Sequence, residues 1–152
     1  MNPEPIDYLT AEDLIILAET ILGQRPVVRD PGLLAAAAAR PSTVVFGHVA
    51  YPTLFGKAAA LLFSVCQNHT LLDGNKRLAW AAAVTFLALN GIPVPEIDVD
   101  AAEAFMLAIA DGKFTEVAQI EAGLRDLYGH ETRARPVETL IRLTAPGVIP
   151  PR

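Results

Sequence analysis

A single cysteine, Cys66, is too few for a disulfide within the chain or for a cysteine-rich zinc site. It follows the apolar run 58–65, where a small hydrophobe is expected to be buried. Basic charge is also scarce: 12 Lys and Arg against 17 Asp and Glu leave a net charge of -5. No stretch gathers the cations that binding to phosphate backbones requires, so direct contact with nucleic acid is set aside. No apolar stretch runs long enough without a charge, Gly or Pro to cross a bilayer. The first ten residues hold Pro3, Pro5, Glu4 and Asp7 where a leader would place basic and then apolar residues. A cytoplasmic location with no membrane partner is expected. Alternation of apolar and polar residues never reaches strand length, which argues against a β fold.

Ala and Leu dominate instead, and 52% of 152 residues are hydrophobic, enough to close one core without staples. An all-α fold is expected. Thr10 is a candidate N-cap with Asp13 in an approximate capping box, Leu14, Leu17, Ala18, Ile21 and Leu22 share one face, and Gly23 ends the helix. Asp30 and Pro31 open a short Ala-rich helix that stops at Arg40-Pro41. Residues 42–56 lose the helical pattern and read as an extended or looped flap. Two apolar helices follow, over about residues 53–67 and over 75–90, and are the expected core, with Leu78, Trp80, Val84, Phe86 and Leu87 read as core. Beyond Pro93 and Pro95, residues 100–110 and 115–128 read as amphipathic helices, the first capped by Asp100 and the second ended by Gly129. Residues 1–130 thus form one domain. Residues 131–152 hold four of the chain's 12 prolines around a brief helical pattern over 137–143, and form a tail of open role.

Between the two core helices lie Asn68, His69, Asp73, Gly74, Asn75, Lys76 and Arg77. So many polar groups between buried helices are costly unless they face a cavity or a ligand. Gly74 and Asn75 suit a tight turn into the second helix, whose first N–H groups then point outward as an anion site. Lys76 and Arg77 oppose the helix macrodipole there, and a bound phosphate resolves the conflict. Asp73 is the nearest carboxylate for Mg²⁺, and His69 can take a proton near neutral pH. Each has a plainer reading: His69 as a helix C-cap, Asp73 as an N-cap, Lys76 and Arg77 as a solvated corner. Their joint occurrence favours chemistry over those separate roles.

The segment His69-Thr70-Leu71-Leu72-Asp73-Gly74-Asn75-Lys76-Arg77 resembles the signature of the Fic/Doc superfamily. That signature is usually His-x-Phe-x-Asp/Asn-Ala/Gly-Asn-Lys-Arg in the Doc branch and His-Pro-Phe-x-x-Gly-Asn-Gly-Arg in the Fic branch. Lys76 sides with Doc. Residues 8–15, 30–33 and 124–129 resemble the family's opening, second and final helices. Leu71 departs from the usual Phe, the apolar plug of the loop, and implies a smaller anchor.

The resemblance implies a compact helical bundle and a toxin of a toxin-antitoxin pair that transfers the γ-phosphoryl group of ATP to a hydroxyl of elongation factor Tu, halting translation. It assigns His69 as the base, Asp73 as the Mg²⁺ ligand, and Gly74, Asn75, Lys76 and Arg77 as the phosphate-binding residues. Two other readings stay open. One is a Fic-like adenylyltransferase, against which Lys76 stands; the other is a catalytically silent module that keeps the fold to grip a partner. Self-restrained relatives carry a Ser/Thr-x-x-x-Glu helix, and no Glu here has Ser or Thr four residues before it. Restraint is therefore expected from a separate antitoxin.

Overall fold

A computed structural model describes residues 5–129, which form six helices and one small hairpin. The 137–143 pattern and the rest of the tail lie outside the described residues. Helix α1 (Ala11–Leu22) starts with the reciprocal Thr10 and Asp13 box, and Gly23 ends it in the left-handed region at φ 71°. Helix α2 (Pro31–Ala39) opens on Asp30, whose carboxylate accepts from Leu33 N–H at 3.1 Å. A 3-10 turn over Arg40–Ser42 follows.

The flap is a two-stranded antiparallel hairpin, β1 (Val44–Val45) and β2 (His48–Val49). Phe46 and Gly47 turn it, both with positive φ (49° and 77°), as a right-twisted two-residue turn demands. Arg40 fastens its root: Nε donates to Tyr51 Oη at 3.0 Å and Nη1 to Ser64 Oγ at 2.9 Å. Buried Lys57 holds the other arm, donating to the Tyr51 carbonyl at 2.7 Å.

Helix α3 (Leu54–Asn68) is the axis of the molecule: 11 of its 15 residues are buried. It packs chiefly on α4 (Asn75–Leu89) and on α6 (Val117–Tyr128), with α2, the 3-10 turn and α5 (Val99–Ala110) around it. Leu61, Leu62, Leu78, Phe86 and Leu87 meet in the core, each at most 1% exposed. Trp80 and Val84 are only half-buried, against the expectation that both are core.

Two helix starts differ from the sequence reading. Asp98, not Asp100, caps α5, its Oδ1 accepting from Asp100 and Ala101 N–H at 2.9 and 3.2 Å. Both aspartates have cap chemistry, and the stiff Pro93–Pro95 connector delivers the earlier one. Helix α6 begins at Val117 because Gln119 reaches back to the N–H groups of Thr115 and Glu116, at 2.9 and 3.2 Å, and holds them outside the helix. No helix among the described residues is long and apolar enough to cross a membrane.

Candidate active site

The polar segment becomes a loop gripped from both sides. Helix α3 stops at His69, whose backbone is left-handed (φ 48°, ψ 48°), an uncommon state for a residue with a Cβ. The turn sends the chain beside the α1–α2 connector. Arg29 N–H donates to Thr70 C=O at 2.7 Å and Leu72 N–H to Val27 C=O at 2.9 Å, framing a Val28–Leu71 bridge. Leu71 is 1% exposed, so it plugs the loop into the core where the family signature has Phe.

The peptide groups of Leu71 that point away from Val28 meet a side chain. Asn75 Oδ1 accepts from Leu71 N–H at 3.0 Å, and its Nδ2 donates to Leu71 C=O at 2.9 Å. The carboxamide thus mimics a neighbouring strand's peptide. That commits the side chain of Asn75 to the loop and leaves its backbone N–H as what it can offer a phosphate.

Gly74 follows at φ 90° and acts as N-cap of α4 without a side chain to cap it. The backbone angle is what requires glycine, and an added Cβ would in addition lie 2.9 Å from Leu22 Cδ2 and push that side chain aside. The first N–H to close an α-helical bond is that of Leu78, onto Gly74 C=O at 2.9 Å. The N–H groups of residues 75, 76 and 77 are therefore left at the helix mouth. No acidic residue stands in this first turn, whereas α1 places Glu12 and Asp13 in its own. Exposed Lys76 and Arg77 stand there instead and add to the positive end of α4, with Asp73, just before the helix, as the nearest carboxylate.

Asp73 accepts from Gly74 N–H through Oδ1 at 2.8 Å, and its Oδ2 lies 3.9 Å from Arg77 Nη2. With its side chain 88% exposed, this contact contributes little stability and leaves oxygens open to a metal ion. Among the described residues no group of three or more His, Cys, Asp or Glu could hold a resident metal. One carboxylate beside a phosphate site does fit Mg²⁺ arriving with a nucleotide, since that ion keeps phosphate and water ligands. His69 is exposed.

One cleft of about 340 Å³ is lined by His69, Asp73, Gly74, Asn75, Lys76 and Arg77 together, so the structure gathers all six sequence-selected residues. Cys66, expected from the sequence only as packing, is buried and also lines this cleft. Burial pushes its thiol above the ordinary value, against a smaller opposing pull from Lys76.

The chain belongs to the Fic/DOC family, whose model matches residues 8–87, a span that holds the histidine-headed loop between the two central helices. Within it the chain falls in the Doc branch. It is 51% identical over 105 residues to "Toxin Doc" of Mycolicibacterium smegmatis, covering 68% of this chain and 81% of that protein. It is 31% identical over 128 residues to "Protein kinase doc" of Escherichia phage P1, covering 80% of this chain and 96% of that protein.

Proposed function

We propose that this protein is a Doc-type toxin that acts as a protein kinase, transferring the γ-phosphoryl group of ATP to a hydroxyl of elongation factor Tu in the cytoplasm. The observation that carries the reading is the mouth of α4. Uncapped N–H groups, no first-turn acid and two adjacent cations make a helix start that is unfavourable by itself and complementary to phosphate. The relatives bearing the names of a toxin and a protein kinase support the same chemistry.

In the proposed reaction His69 takes the proton of the attacking hydroxyl. The hydroxyl oxygen bonds to the γ-phosphorus as the bond to the bridging β,γ oxygen breaks, and ADP leaves. Lys76, Arg77 and the N–H groups of residues 75–77 hold the phosphates and the charge that develops on them. Asn75 keeps the loop in shape through Leu71, and Asp73 would ligate Mg²⁺. When bound, that ion neutralises phosphate charge. Positioning and charge stabilisation supply most of phosphoryl transfer, so a short rigid loop is sufficient equipment. The hairpin of β1 and β2 would align the target chain by pairing backbone with backbone.

A toxin needs restraint, and the chain lacks the Ser/Thr-x-x-x-Glu pattern that self-restrained relatives use. An antitoxin acting in trans, with a segment that orders as a helix on binding, is part of the proposal. Intact-mass spectrometry of elongation factor Tu after incubation with this protein and Mg²⁺-ATP tests the reading. A gain of one phosphate is expected. A gain of AMP would make the protein an adenylyltransferase, and no gain would leave a binding module or another target.

A further inference from the structure

The His69 loop buries one leucine and exposes the next. Leu71 is 1% exposed, whereas Leu72 is 67% exposed and lines the cleft that holds His69 and Asp73. The cause is the pairing with the α1–α2 connector. Val28 bridges Leu71, with Arg29 N–H on Thr70 C=O at 2.7 Å and Leu72 N–H on Val27 C=O at 2.9 Å on either side of them. Side chains alternate along such a pair, so Val27 and Leu72 lie opposite one another on the face turned to solvent. Val27 is 61% exposed. Among the described residues that line the cleft, Leu72 is the only large apolar one. Neither a phosphate nor a metal ion has a use for it, and two outward-facing hydrocarbon side chains add nothing to the core.

We propose that Leu72 and Val27 select the protein target of the kinase, packing against an apolar residue one or two positions from the hydroxyl that is phosphorylated. The proposal rests on the kinase reading above and adds the target's local sequence to it. A Ser or Thr hydroxyl must enter the cleft to reach His69, which brings its own chain to the rim where Leu72 stands. An extended chain advances about 3.3 Å per residue, so residues one or two away lie within about 7 Å of the accepting residue, over the two side chains. Covering exposed aliphatic groups with another removes hydrocarbon from water on both partners and desolvates no charge. A charged neighbour gains nothing there. The pair is also held in place before binding, Leu72 by its bond to Val27 and the adjoining Leu71 peptide by Asn75, so little order is lost on contact. An amphipathic helix docks through anchors spread over two turns, which two adjacent side chains do not supply, so an extended target fits the patch better than a helical antitoxin segment.

Steady-state transfer from Mg²⁺-ATP to elongation factor Tu is measured with the unmutated protein, Leu72→Ser, Val27→Ser and the conservative Leu72→Met, with a thermal melt of each. Both serine variants are expected to melt with the unmutated protein, because the side chains are exposed. Each should raise KM for the protein target about tenfold, the scale of one partly buried aliphatic contact. A contact made equally in the ground and transition states leaves kcat alone, so kcat and KM for ATP should stay within about twofold. Leu72→Met should keep the unmutated KM. Mass spectrometry then locates the phosphorylated residue, and replacing its apolar neighbour by Asp should raise KM with the unmutated protein but add little with Leu72→Ser, as groups in contact require. Should Leu72→Ser melt early, Val27→Ser and the target variant still decide the question. Unchanged KM for the target in both serine variants overturns the proposal, while transfer itself upholds the kinase reading. A phosphorylated residue with no apolar residue within two positions also contradicts it. A fall in kcat alone assigns the pair to loop geometry, a rise in KM for ATP assigns it to the nucleotide, and lost neutralisation by an antitoxin at unchanged KM assigns it to that partner; each overturns the proposal. Absence of transfer by the unmutated protein overturns the kinase reading and the proposal with it.

Discussion

Replacing Asn75 by Ala removes both hydrogen bonds that its carboxamide makes to the Leu71 peptide, 3.0 and 2.9 Å long and part-buried. Each such bond contributes about 1 kcal/mol net, and leaving the Leu71 N–H and C=O without partners adds desolvation, so a loss of about 2–4 kcal/mol is expected. For a domain of this size that lowers Tm by roughly 10 °C. Asn75→Asp is a sharper probe of the same clasp. Its carboxylate still accepts from Leu71 N–H but cannot donate to Leu71 C=O, and it sets two oxygens against each other. A negative charge in the first turn of α4 offsets part of this, by about 0.3–1 kcal/mol. Asn75→Asp should therefore melt between the unmutated protein and Asn75→Ala. Its phosphate affinity should still fall strongly, because the new charge sits beside Lys76 and Arg77. Thermal melts and ATP titrations of the three proteins check this. Were Asn75→Ala to melt with the unmutated protein yet fail to bind ATP, the side chain would be contacting phosphate directly and the clasp would have no structural weight.

His69→Ala should abolish phosphoryl transfer, by at least about 100-fold as expected for loss of a general base, with Tm moved by only a few degrees because the side chain is exposed; transfer assays beside melts check both halves. Lys76→Gly should lower transfer on the order of 100-fold by removing charge from the phosphate site, and mass spectrometry of the product shows whether any AMP transfer is admitted. Removal of residues 133–152 should leave transfer unchanged, since the family match ends at residue 87 and the cleft residues all precede residue 111; loss of activity in a truncated protein that melts normally would make the tail part of the site.

Much of the fold was legible because its signals are local. Thr10 with Asp13, Asp30 with Pro31, and the glycines at 23 and 129 sit where the helices start and stop. The start of α5 was missed because Asp98 and Asp100 are chemically alike and only the path of the connector selects between them. The six site residues were found through one contiguous segment, so no long-range pairing had to be guessed. What the segment could not reveal was division of labour. That the Asn75 side chain serves Leu71 depends on the extended segment Val27–Arg29 occupying the loop's other side, some 45 residues earlier in the chain. Trp80 and Cys66 looked like core from their apolar neighbours. The positions of α5 and α1 bring the first to a groove and the second to the cleft.

In the proposed reaction the terminal phosphate of ATP moves to the target, and labelled nucleotide follows that phosphate. Elongation factor Tu is incubated with this protein, Mg²⁺ and ATP carrying its label at either the γ- or the α-phosphate, and the protein-bound label is counted. Label is expected from γ-labelled ATP and none from α-labelled ATP. Label from α-labelled ATP alone would contradict it and make the protein an adenylyltransferase.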